Sequence, residues 1–167
     1  MRLICDDLEA EHESLDALVA GLEPARWDTP TPAEGWTVRD QIAHLAYSDV
    51  SARLAVVDAE AWEREFKIDR AERERRQHDV GWSRTPAELL AWWRECRRAM
   101  LAVFRPLDRR ARIPWFGPPM SALTFATAKK PGATVRTSPT PWASVARTST
   151  ASATSPTSAS SLAPTAS

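Results

Sequence analysis

The sequence is short of the residues that most often announce a function: two cysteines, three histidines, five glycines and one tyrosine in 167 residues. Cys5 and Cys96 stand far apart, which excludes a disulfide framework and a paired metal knuckle. The few glycines form no phosphate-cradling loop, and no nucleophile elbow is present. No run of about 18 apolar residues occurs, and Met1-Arg2-Leu3 passes straight into Cys5-Asp6-Asp7-Leu8-Glu9. Neither a membrane span nor a secretory leader is therefore expected, and the expected location is cytoplasmic. Charge of one sign is also lacking: 22 Lys+Arg face 22 Asp+Glu. That balance argues against a bulk basic surface, so neither nucleic acid nor a membrane is an expected partner.

The balance conceals a break. Residues 129–167 contain no Asp, Glu or His, and 30 of those 39 residues are Ala, Ser, Thr or Pro. Lys129, Lys130, Arg136 and Arg147 give this stretch a charge of +4, whereas residues 1–128 carry 18 Lys+Arg against 22 Asp+Glu. Large apolar residues in the stretch are few, too few to offset an ordering cost of roughly 1–2 kcal/mol per residue. A disordered low-complexity tail is expected over 129–167, after one domain over 1–128.

The domain reads as helices. Leu3, Ile4, Leu8, Leu15, Leu18, Val19 and Leu22 recur at three- and four-residue steps, with Gly21 and Pro24 marking the end of a first helix. A loop from Pro24 to Trp36 leads to Thr37-Val38-Arg39-Asp40, an N-cap whose acid sits three residues on. The second helix should bury Val38, Ile42, Leu45 and Ala52 and run to about Val57. Residues 59–79 are dense in charge and read as an exposed helical segment or a lid-like connection, with Trp62 and Phe66 as an apolar pair. Thr85-Pro86-Ala87-Glu88 is a capping box with proline at the first helical position. It opens a third helix with a wide apolar face, which Pro106 closes. An aromatic loop, Ile113 to Pro119, precedes a fourth helix from Met120 that meets the break after two turns. No strand pattern competes. The expected fold is all-α, a four-helix bundle with an incomplete fourth helix, and its uncovered faces should weaken cooperative folding.

Among the histidines, His12 lies on the edge of the first apolar stripe and reads as a partly buried or flanking residue without function. His78 follows Arg75-Arg76-Gln77 and reads as a surface residue. His44 is the candidate metal ligand. Its helical neighbours are Gln41, Ser48 and Ser51, small or polar residues that leave room for a site. One histidine is still not a metal site, since zinc takes at least three protein ligands, and spacing in residues 1–128 supplies no clear partners. Trp92, Trp93, Trp115 and Phe116 offer an alternative function, an apolar surface on a non-catalytic interaction module.

The run Pro30-Thr31-Pro32-Ala33-Glu34-Gly35-Trp36-Thr37-Val38-Arg39-Asp40-Gln41-Ile42-Ala43-His44-Leu45 resembles the signature of the DinB-like, mycothiol-dependent maleylpyruvate isomerase family of actinobacteria. Leu15 to Leu22 and Pro114 to Ser121 resemble an uncharacterised branch of it. The resemblance implies a four-helix bundle holding a divalent metal, usually zinc, on a second-helix histidine and a Glu-x-x-x-His pair of the fourth helix. An open metal position would activate a thiol or polarise a carbonyl, and mycothiol would add to the substrate to permit cis–trans rotation. Of the ligand positions only His44 is matched. The chain is accordingly expected to be an impaired member whose intact relatives take a small-molecule thiol and substrate.

The missing fourth-helix ligands coincide with the composition break. Ala, Ser, Thr, Pro and Arg are the residues that GC-rich coding DNA yields when read out of frame. Joining the third base of each codon to the first two of the next, Lys129 onward permits Glu-Ala-Trp-Gly-His, an acid and a histidine four residues apart. A change of reading frame near Ala128 to Lys130 is therefore expected.

Overall fold

Among residues 1–129, the part of the chain that the computed structural model describes, the helices run α1 (Arg2–Ala20), α2 (Val38–Val57), α3 (Ala59–Phe66), α4 (Arg70–Trp82), α5 (Pro86–Phe104) and α6 (Ala122–Ala128). A 3-10 turn, Pro24–Asp28, joins α1 to α2, and two-residue strands β1 (Arg112–Ile113) and β2 (Met120–Ser121) pair antiparallel before α6. The helical expectation holds. The short β1–β2 hairpin was not legible, because two residues are too few for an alternating pattern to register. The expected tail lies outside the described residues. Within them, no helix is long and apolar enough to cross a membrane.

Local signals set the helix starts. Thr37 and Asp40 form a reciprocal capping box, Thr37 N–H donating to Asp40 Oδ2 at 2.9 Å and Asp40 N–H to Thr37 Oγ1 at 3.2 Å. Thr85 and Glu88 repeat the arrangement at α5, where Pro86 occupies the first turn. Ser121 caps α6 by accepting from Thr124 N–H.

Tertiary packing is centred on α2, which touches α5, α4 and α3, while α1 packs on α5 and α6. Val38, Ile42, Leu45 and Ala52 are all buried, as expected of α2. Leu3 departs from its stripe and is 83% exposed, because no described residue packs over the outer side of the first turn. Asp16 of α1 is buried between two α5 arginines, Arg94 Nη2 at 2.5 Å from Oδ1 and Arg97 Nη2 at 2.7 Å from Oδ2. Hydrogen bonding from Arg94 holds the Asp16 carboxyl below its usual range. This clamp fixes the register of α1 against α5.

Residues 59–79 are helical and mostly exposed, as one of the two expectations had it, but they are not a loose connection. They form α3 and most of α4, and Trp62 and Phe66 are buried in the core. The sequence is charged because the outer faces carry ion pairs such as Arg76–Glu72 and Arg70–Glu74 at 2.7 Å, while the inner faces close on α2. Gly81 permits that closure. A Cβ at Gly81 would stand 2.7 Å from Ala43 Cβ, so only glycine lets α4 lie this close to α2.

Candidate functional site

The signature around Gly35 decodes into structure residue by residue. Gly35 has φ +77, a conformation that L side chains adopt with strain. The turn it makes is closed by Thr31 N–H donating to Trp36 O at 2.7 Å and by a bridge between Pro30 and Thr37. The turn delivers the Trp36 ring edge-on to His44, with centroids 5.2 Å apart. Arg39 donates from Nε to Asp28 Oδ1 at 2.9 Å and from Nη1 to Arg84 O at 2.6 Å, and lies over Trp82. Asp40 Oδ1 accepts from Trp82 Nε1 at 2.9 Å. Arg39 and Asp40 thus secure the end of α4 to the start of α2, and α4 in turn brings Gln77 to His44.

His44 Nδ1 lies 2.8 Å from Gln77 Oε1. With the amide oxygen toward the ring, Nδ1–H donates and Nε2 keeps its lone pair. Burial lowers the His44 pKa, opposed by the Gln77 hydrogen bond and assisted by the charge of Lys129. His44 is therefore a neutral, tautomer-fixed imidazole at neutral pH.

This ring borders a cavity of about 380 Å³ between α2, α3, α4 and the aromatic loop. Trp36, Tyr47, Phe66, Trp115 and Phe116 form apolar walls, and His44, Ser48, Ser51, Gln77, Arg70, Arg73 and Glu74 supply polar groups. Its size and its mix of aromatic wall with a few convergent polar groups are those of a small-molecule site. Trp62 supports the cavity from behind, stacked on Trp115 at 5.9 Å and donating to Ser51 Oγ at 2.9 Å.

The four aromatics of the interaction-module alternative do not share a surface. Trp93 is buried in the core, Trp92 is half-buried under Arg84, and Trp115 and Phe116 belong to the cavity. His78 is an exposed ring stacked on Trp82, as expected.

His12 is where sequence reading missed most. It is 1% exposed, edge-on to Trp93 at 5.8 Å, and neither ring nitrogen has a partner among the described residues. Asp49, also 1% exposed, pairs through Oδ1 with Lys129 Nζ at 3.1 Å, and its Oδ2 has no partner among the described residues. Along α1 and α2 these two residues sit where one apolar cluster (Leu15, Ile42, Leu89, Trp93) gives way to the other (Leu8, Ala52, Trp62, Phe104). They form a polar seam across the core. No sequence pattern marks it, since a lone acid within a helix normally faces water.

Burial lowers the His12 pKa, partly opposed by Asp49. The unfolded chain therefore binds protons that the folded one refuses. Stability is full above the ordinary histidine value near 6.5 and falls as pH drops through it toward the lower folded value. His44 titrates in the same sense. Urea unfolding at about pH 7.5 and about pH 5.5 should show a loss of up to roughly 1.4 kcal/mol per pH unit for each histidine. His12→Leu should flatten the slope, and an unchanged slope would contradict this account.

Neither thiol of the protein is a candidate nucleophile. Cys5 and Cys96 are buried, and desolvation, then the charge of Asp49, pushes the Cys96 thiol up to about 12. Desolvation raises Cys5 likewise.

The metal expectation does not fit the residues present. Among the described residues no group of three or more His, Cys, Asp or Glu is placed to hold an ion. The sequence from 130 to 167 contains none of these residue types.

A protein-family model described as the mycothiol maleylpyruvate isomerase N-terminal domain matches residues 8–137. Two curated proteins, uncharacterized protein Rv0036c of Mycobacterium tuberculosis H37Rv and uncharacterized protein MT0041 of strain CDC 1551, are each 40% identical over 126 residues. Each alignment covers 74% of this chain and 49% of the relative, so the chain spans about half the length of the curated relatives it matches. A crystal structure of the mycothiol-dependent maleylpyruvate isomerase superposes with a TM-score of 0.66 at 14% identity, over 81% of this chain and 58% of that one. A histidine-to-alanine mutant of that enzyme gives 0.64 at 14% identity, over 77% and 55%. At such identity the likeness speaks for the fold.

Proposed function

The chain belongs to the mycothiol maleylpyruvate isomerase N-terminal domain family, and on that premise we propose that its His44 cavity receives a small-molecule thiol of the mycothiol type. In this reading the domain is the metal-binding half of a thiol-dependent isomerase or thiol transferase, impaired here by loss of the fourth-helix ligands. The observation that carries it is the neutral, Gln77-held imidazole of His44 opening on a cavity of about 380 Å³. The two buried cysteines add to it. With its own thiols held protonated, the protein needs an external thiol for any sulfur chemistry.

The residues at hand have definable roles. Trp36 and Trp115 offer flat faces to the carbon skeleton of a ligand, and Ser48 and Ser51 offer hydroxyls within the cavity. Arg73 is less free, since its guanidinium lies 4.3 Å from the Phe116 ring and donates to Ile68 O at 3.1 Å. It stiffens the wall rather than reaching for a ligand. Nε2 of His44 can accept a proton from a thiol, and a thiolate so formed would lie among indole edges and hydroxyl donors.

Titration with mycothiol should quench tryptophan fluorescence saturably, through Trp36 and Trp115. At about a hundred times Kd the thiol should add about 2.7 kcal/mol of stability. Absence of any saturable change would sink the proposal. Stabilisation by a protein or apolar ligand, with none by the thiol, would instead favour the interaction module.

A further inference from the structure

Asp49 poses a problem that the apolar packing around it does not solve. A carboxylate this deeply buried is strongly unfavourable unless a cation is brought to it. The cation in this chain is Lys129, the first residue of the altered composition. Its side chain is 8% exposed, its Nζ lies 3.1 Å from Asp49 Oδ1 and 2.5 Å from Ser48 Oγ. Its backbone N–H closes the end of α6 on Phe125 O and Ala126 O, so the side chain is directed by a helix end rather than by a free tail. The same ammonium acts on His44 and on His12, lowering the pKa of each, while Asp49 acts on both in the opposite sense. A buried carboxylate and a serine hydroxyl thus hold one positive charge, one turn along α2 from the His44 imidazole that feels it. Those donors are the chemistry of a cation site, and the charge is covalently attached.

We propose that Lys129 is a tethered cation: its ammonium fills the place beside Asp49, Ser48 and His44 that a divalent ion would need and closes this chain's site to metal. The inference rests on reading the His44 cavity as the functional site, and goes beyond it in giving the cause of metal exclusion. Lack of ligands alone leaves a weak site; a fixed ammonium also repels an incoming dication and uses the carboxylate that would attract it.

Cobalt(II) titration of the full-length chain, followed by visible absorption and by circular dichroism, tests this. The unaltered chain and Lys129→Arg should remain folded and take up no stoichiometric ion. Lys129→Glu exchanges the repelling charge for a donor. It should bind on the order of tenfold more tightly or better, and the gain should vanish when His44→Ala is added. If Lys129→Glu fails to fold, Lys129→Gln should show a smaller gain with the same dependence on His44. Stoichiometric, His44-dependent uptake by the unaltered chain would overturn the proposal, as would a folded Lys129→Glu or Lys129→Gln protein with no gain. The functional reading fails separately, through a frame-restored protein that takes up no metal.

Discussion

Trp62→Ala should leave the domain without a cooperative unfolding transition at physiological temperature. Trp62 is fully buried, donates to Ser51 Oγ at 2.9 Å, stacks on Trp115 and touches Phe116 at 5.4 Å between centroids. Removing an indole from such a position typically costs about 3–5 kcal/mol, against a total of about 5–15 kcal/mol for a small domain. The hydroxyl of Ser51, 2% exposed, would lose its partner as well. The loss would reach the site because Trp115 and Phe116, two walls of the cavity, rest on this ring. Urea unfolding monitored by far-ultraviolet circular dichroism is the measurement. Trp62→Phe, which keeps much of the volume but not the N–H, should retain a transition at reduced stability. A Trp62→Ala protein as stable as the parent would show that α3 is not part of the cooperative core.

Restoring the alternative reading frame near Ala128 to Lys130 should yield a protein that takes up about one divalent ion per chain. The permitted Glu-Ala-Trp-Gly-His places an acid and an imidazole four residues apart, on one helix face, directly after α6. His44→Ala in the restored protein should abolish that uptake, because it removes one of three ligands. Unchanged metal content in the His44→Ala form would refute the assignment of His44. Stop codons interrupting the alternative frame would end the frame-change explanation itself. The restored helix would also extend α6, whose Ala122, Phe125 and Ala126 already enter the core, so a higher melting temperature should accompany the metal.

The parts of the fold legible in the sequence were those governed by neighbours along the chain. Thr37 and Asp40, or Thr85 and Glu88, make their caps within three residues, so the starts of α2 and α5 could be read directly. The apolar period of α2 was equally plain at Val38, Ile42 and Leu45. In the segment 59–79 the helical, exposed outer faces were legible from composition, whereas the burial of Trp62 and Phe66 is decided by what closes over them. His44 was picked out through the motif around Gly35 and Trp36, and it lies beside the cavity.

Its surroundings were not legible. Gln77 stands 33 residues from His44, and the distance is bridged only because Gly81 lets α4 approach α2 and Arg39 and Asp40 fasten it. The sequence by itself determined the helical class, the caps and the position of the compositional break. Tertiary structure alone decided that His12 and Asp49 form a buried polar seam and that Lys129 supplies its cation. Caps and periodicities are local energies, whereas the cost of burying a charge depends on which distant helix removes the water.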